Sequence, residues 1–174
     1  MSYIVVDVEA DGPSPSTGSI VCFGAVLVSD MSKTFYGKCK PRHDFWVPEA
    51  LAVSGFSREE HEEFPEPMET FLAFEKWVKE VSQGSPVLIS DNNGFDWQFI
   101  NDYFHFYLGR NPFGHSCRRI GDLYCGLVKH AGKNRDWKRK YRKTKHDHNP
   151  VNDAMGNAEA IRAFQEKLNL KIHL

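Results

Sequence analysis

The sequence predicts an α/β fold, a mixed sheet with an antiparallel first half and helices on its faces. Three observations predict it. Strand-like segments crowd the first 40 residues, helical periodicity takes over from residue 68, and a short apolar strand separates two of the helical stretches. Strands first and crossovers later cover both faces of a sheet with helices.

Residues 3–8 form an apolar run suited to a strand buried on both faces. Residues 19–29, SIVCFGAVLVS, are rich in β-branched and aromatic side chains and read as a second strand. Asp30-Met31-Ser32 turns the chain into a third strand, 33–38, completing an antiparallel meander. Residues 40–66 are loop-rich, punctuated by Pro41, Pro48, Gly55 and Pro65. In 68–81, Phe71, Leu72, Phe74, Trp77, Val78 and Val81 share one helical face, with Pro67 in the first turn and Gly84 beyond the end. Residues 86–90 (PVLIS) are a short strand. Residues 96–108 form an amphipathic helix with Gly109 as C-cap. A helix over 120–131 follows a Gly/Pro/Ser-rich turn. The last helix, 151–168, has Asn149 as N-cap and Pro150 at its first position.

The 174 residues suffice for one domain, 1–174, with a full core. At 41% hydrophobic and 26% charged the chain is globular, not disordered. No apolar run approaches the ~20 residues of a membrane span. Met1 leads straight into strand-like sequence with no basic leader, so no membrane contact and a cytoplasmic location are expected. Cys22, Cys39, Cys117 and Cys125 lack metal-finger spacing and are expected as reduced thiols. The net charge of −1 is unevenly spread. Residues 133–146 hold eight Lys/Arg against the single acid Asp136, a net +7 that leaves the remainder at −8. Such a strip is either a solvated mobile loop or a contact for a polyanion.

Five side chains carry the chemistry: Asp7, Glu9, Asp96, His148 and Asp153. Asp7 and Glu9 alternate at the end of the first strand and so share a face, in the position where α/β sheets gather their sites. Two carboxylates there repel unless a cation lies between them. Asp96 opens a helix, where capping is the plainer explanation, and Asp91 is its rival. His148 precedes the last helix and Asp153 sits in its first turn. A neutral imidazole suits proton abstraction from water.

Taken together, these pieces resemble the three signature segments of the DEDDh exonucleases, the DnaQ-like branch of the ribonuclease H-like fold. The first is Asp7-Val8-Glu9-Ala10-Asp11-Gly12, the second Asn92-Asn93-Gly94-Phe95-Asp96, and the third runs from His148 to Asp153-Ala154. Between them stand Phe23-Gly24-Ala25-Val26 and a PEALxVxGF-like piece from Pro48 to Phe56. The resemblance covers nearly the whole chain. Ala10 departs from a threonine common in the first segment, but the family uses a backbone amide there to hold the terminal sugar.

The resemblance implies a five-stranded mixed sheet and a 3′–5′ exonuclease acting on 3′ ends of single-stranded DNA or RNA, releasing 5′-mononucleotides. It implies two Mg²⁺ ions ~3.5–4 Å apart held by Asp7, Glu9, Asp96 and Asp153, with Mn²⁺ able to substitute and His148 as general base. It places Ala10, Phe56 and Asn92 near substrate, with Phe56 either a wedge at the terminal bases or a core side chain under a loop. The basic strip would deliver His148 and meet phosphates through residues such as Lys143, with Trp137 and Tyr141 free to stack on bases. It also admits a homodimer. Two rivals are a non-catalytic nucleic-acid-binding module on the same fold, and a metal phosphodiesterase for small nucleotides. Clustered acids argue against the first, since a pure binding surface gains nothing from them; a basic strip reaching past the site argues against the second.

Overall fold

The computed structural model describes residues 1–172. Five strands form one sheet in the order β3-β2-β1-β4-β5. β1 (Ser2–Ala10), β2 (Ile20–Leu27) and β3 (Thr34–Lys38) are the antiparallel meander; β4 (Pro86–Ser90) joins β1 in parallel. The fifth strand, β5 (Cys117–Arg119), is parallel to β4. At three residues it is too short for a periodic pattern to betray it, and it lies in the stretch read as a turn.

β1 sits at the centre, and its alternation sorts the two layers. Ile4, Val6 and Val8 point into a core built with α3 (Pro67–Val81) and α4 (Asn93–Leu108). That layer is aromatic: the Phe23 ring lies 4.9 Å from Phe74 and 5.3 Å from Phe71, pairs that each add about 0.5–1.5 kcal/mol beyond area burial. Tyr3 and Val5 point the other way, into a core with α5 (Ile120–Val128), α6 (Asp136–Tyr141) and α7 (Pro150–Leu168). Asp7 and Glu9 continue this second series, so both carboxylates emerge on the α7 side.

Three predicted segments differ. The loop-rich region contains α1 (Pro48–Val53) and α2 (Arg58–Glu62), the latter opened by a capping box between Ser57 and Glu60. α5 stops at Val128 because Lys129 turns left-handed at φ 52°. The basic strip is folded: a 3-10 turn at Ala131–Lys133 leads into α6, anchored by Trp137. Trp137 is fully buried, donates from Nε1 to the Asn134 carbonyl at 2.9 Å, and packs edge-on against Phe164. The expectation that it stacks on bases is therefore corrected; it is a core side chain holding α6 to α7. Among the described residues, no helix is long and apolar enough to cross a membrane.

Candidate active site

The site forms where β1 ends. Asp7 and Glu9 arrive from the strand, Asp153 from the first turn of α7, and Asp96 from the first turn of α4 on the opposite layer. One carboxylate oxygen from each of Asp7, Glu9 and Asp153 lies within 4.8 Å of the others. Asp96 is buried and does not cap its own helix: Oδ1 accepts from the Val8 backbone N–H at 3.1 Å, between the two β1 acids. Its rival Asp91 is engaged elsewhere, in an ion pair with Lys138.

What brings Asp153 to Asp7 is a glycine. Gly24 on β2 pairs directly with Asp7, and the α7 backbone at Pro150 and Val151 rests against it. A Cβ at Gly24 would stand 2.3 Å from the Pro150 carbonyl carbon. Only the absence of a side chain lets the helix start this close to the sheet. The start is fixed by Asn149, whose Oδ1 accepts from Val151 N at 3.1 Å and Asn152 N at 3.3 Å, with Pro150 at the first helical position.

The electrostatics are those of an acid cluster with little counter-charge, Arg142 being the cation that offsets Asp7. Burial raises the Asp7 carboxyl well above its usual range, reinforced by the charges of Asp96, Asp153 and Glu9. Burial also raises Glu9, opposed by His148. Asp96 is pushed up to about 7, chiefly by burial. Asp96 Oδ2 and Asp153 Oδ2 are buried without a hydrogen-bond partner. Orphaned buried carboxylate oxygens facing like charges fit a hard divalent cation, which takes oxygen ligands and removes both penalties.

A strap, residues 142–149, runs from α6 back along α7 and carries His148. Glu159 holds it, accepting from Lys143 N at 2.7 Å, Thr144 N at 2.8 Å and Thr144 Oγ1 at 2.9 Å. Arg142 reaches Asp153 Oδ1 at 2.9 Å by lying flat over Gly156, where a Cβ would meet its Nε at 2.6 Å. His146 Nδ1 meets the same oxygen at 2.6 Å. His148 takes a left-handed φ of 60°, uncommon for a non-glycine residue, and its Nδ1 stands 3.4 Å from Glu9 Oε1.

Asp7, Glu9 and Asp153 thus lie together with His148 beside Glu9, while Asp96 stands buried behind the strand end, near enough for its charge to act on Asp7. Ala10 is buried at the end of β1, where the register with β2 shifts. Asn92 is exposed just before α4, and Lys143 exposes its side chain on the strap. Phe56 is half-buried, edge-on to Phe64 at 5.0 Å with the Lys38 ammonium 4.3 Å from its ring. Sequence reasoning passed over Gly24 as a positioning residue, and also Gly156, Glu159, Arg142 and His146. It also missed Asp11, fully buried, which bonds Ser19 N at 2.5 Å and Arg58 at 3.2 Å and braces the end of β1 against α2.

No family model matches the chain. It is 35% identical over 177 residues, 97% of this chain and 94% of the relative, to a 3′–5′ DNA exonuclease, Cap18, of Escherichia coli. Among solved structures it is similar to the nuclease domain of 3′hExo, a DEDDh family member bound to rAMP, at 18% identity and TM-score 0.78, covering 99% of this chain and 96% of that one. It is also similar to E. coli ExoI in a single-stranded DNA complex with zinc bound, at 16% identity and TM-score 0.71. That match covers 97% of this chain but 42% of the other, so the present chain spans less than half of that protein.

Proposed function

Since the chain belongs to the DEDDh family of 3′–5′ exonucleases, we propose that its substrate is the 3′ end of single-stranded DNA, cleaved to 5′-mononucleotides with two magnesium ions. The observation that carries this reading is the meeting of Asp7, Glu9 and Asp153 oxygens within 4.8 Å, with buried oxygens of Asp96 and Asp153 left unpartnered. The relative is a DNA exonuclease, which favours DNA over RNA. The fold, the acid set and the exposed basic strip suit a polymer more than a small nucleotide.

Asp7, Glu9, Asp96 and Asp153 would hold the ions. Bound magnesium supplies charge neutralisation at the scissile phosphate and acidifies the attacking water. His148, exposed beside Glu9, would accept the proton of that water. Asp96 enters from the far layer and keeps Val8 N–H engaged, fixing the strand end on which Asp7 and Glu9 stand. The Ala10 amide would hold the terminal sugar, Phe56 the terminal base, and Asn92 the nucleotide beside α4. Lys143 and its basic neighbours would meet phosphates further along the strand. Four free thiols accord with a reducing, cytoplasmic setting.

The experiment is digestion of 3′-labelled single-stranded DNA, single-stranded RNA and overhanging duplexes, with magnesium, with manganese and with chelator. Asp7→Asn is expected to abolish hydrolysis in a folded domain, and His148→Ala to lose turnover while retaining metal. Wild-type rates from Asp7→Asn, or full activity in chelator, would defeat the reading.

A further inference from the structure

Beside the carboxylate cluster lies a second group of metal-type ligands with different chemistry. His146, His148 and Asp153 each offer one atom within 4.8 Å of the others. The two imidazole rings stand 4.5 Å apart, centroid to centroid, at an interplanar angle of 61°. Both are exposed, whereas Asp153 is buried. His146 Nδ1 already sits 2.6 Å from Asp153 Oδ1. The strap that carries the histidines is pinned to α7 upstream by Glu159 and downstream by Asn149, so neither ring is on a free tail.

We propose that His146, His148 and Asp153 form an inhibitory site for zinc or a similar borderline-soft divalent ion. Two nitrogens and one oxygen with an open, solvent-facing fourth position are a donor set that zinc accepts in tetrahedral geometry. Magnesium, which prefers oxygen ligands, is poorly served by it. Bonds near 2.0–2.1 Å require ligand atoms a little over 3 Å apart, a change that rotation of two exposed imidazoles supplies. Occupation takes the His148 nitrogen lone pair and removes the proton acceptor from the reaction. It also ties up one oxygen of Asp153. The site therefore converts a rise in free zinc into a stopped nuclease, while magnesium leaves it active. The inhibitory part of this inference rests on the proposed role of His148; the binding part does not.

The test uses Co²⁺ as a spectroscopic stand-in for zinc and Zn²⁺ itself in equilibrium dialysis, both on the full chain. Wild type should develop the intense visible bands of four-coordinate Co²⁺. Asp7→Asn, which breaks the carboxylate cluster, should keep them; His146→Ala should lose them and bind Zn²⁺ about 100-fold more weakly or worse, since loss of even an outer-shell partner reaches that size. In magnesium, zinc concentrations that stop wild type should leave His146→Ala most of its own zinc-free rate, whatever that rate is. His146→Gln, which keeps a polar group at the same exposed position, should behave alike. Two results would overturn the proposal. One is loss of the bands in Asp7→Asn with retention in His146→Ala, which places the ion among the carboxylates. The other is equal zinc sensitivity in wild type and both His146 variants.

Discussion

Substituting Gly24 by alanine tests whether a helix start, rather than an acid, sets the geometry of the site. The added Cβ would stand 2.3 Å from Pro150 C and 2.4 Å from both Pro150 O and Val151 N, where ordinary contact begins at 3.4 Å. The obstacle is backbone at the first turn of a 19-residue helix, so no side chain can swing aside. α7 must retreat by about 1 Å to restore contact, an overpacking that costs about 1–3 kcal/mol. For a chain of this length that corresponds to a fall in Tm of roughly 2–12 °C. Asp153 retreats with the helix, and a misplacement near 1 Å lowers turnover by about 100-fold. The assay pairs thermal melting with digestion of labelled single-stranded DNA at saturating magnesium. Gly126→Ala is the control: it lies within α5 with nothing inside 4 Å of its Cβ. It should stabilise by about 0.5–1 kcal/mol and leave activity alone. If Gly24→Ala digests DNA at the wild-type rate, the claim that helix approach places Asp153 is wrong.

Three further outcomes are expected. Burial raises Asp96 to about 7, above its unfolded value. Its protonation therefore favours the folded state below pH ~4, and this contribution is lost as pH rises through about 7; chelated wild type should melt lower at pH 8 than at pH 5.5, and Asp96→Asn should flatten that difference, with unchanged slopes counting against it. Glu159→Ala frees the strap by removing three accepted bonds; amide exchange at Lys143 and Thr144 should accelerate and turnover fall about 10-fold with little change in KM, whereas unchanged exchange would show that the strap is held otherwise. Binding of single-stranded DNA by Asp7→Asn should weaken with salt, and adding Lys143→Ala should reduce the log–log slope by about 0.7 regardless of sequence; an unchanged slope removes Lys143 from the phosphate path.

The acids were legible because each stands in a local pattern that packing does not demand. Asp7 and Glu9 interrupt a buried strand at period two, and Asp153 follows an Asn-Pro helix start. What escaped was everything that depends on tertiary contact. Trp137 looked available because basic neighbours surround it, yet its ring fills the gap between α6 and Phe164. No local signal distinguishes a tryptophan that stacks on bases from one that anchors a basic helix. α2 was different: Ser57 and Glu60 state a capping box in the sequence, and three prolines and a glycine around it masked it. Gly24 and Gly156 were visible as letters, but their meaning lies in what they make room for, Pro150 in one case and Arg142 in the other.

Those two glycines explain how one carboxylate serves two purposes. Asp153 Oδ1 is satisfied by Arg142 and His146, while Oδ2 is left buried and bare. An aspartate with both oxygens satisfied would be a structural ion pair and would hold a metal poorly; one with neither satisfied would protonate or turn away. Gly156 lets the Arg142 guanidinium lie close enough to hold one oxygen, and Gly24 lets α7 come close enough to bring the carboxylate to Asp7 and Glu9. Half-satisfaction holds the group in place with one oxygen turned to the cluster. The remaining deficit, shared with Asp96 Oδ2 and the raised Asp7, is what a divalent cation relieves.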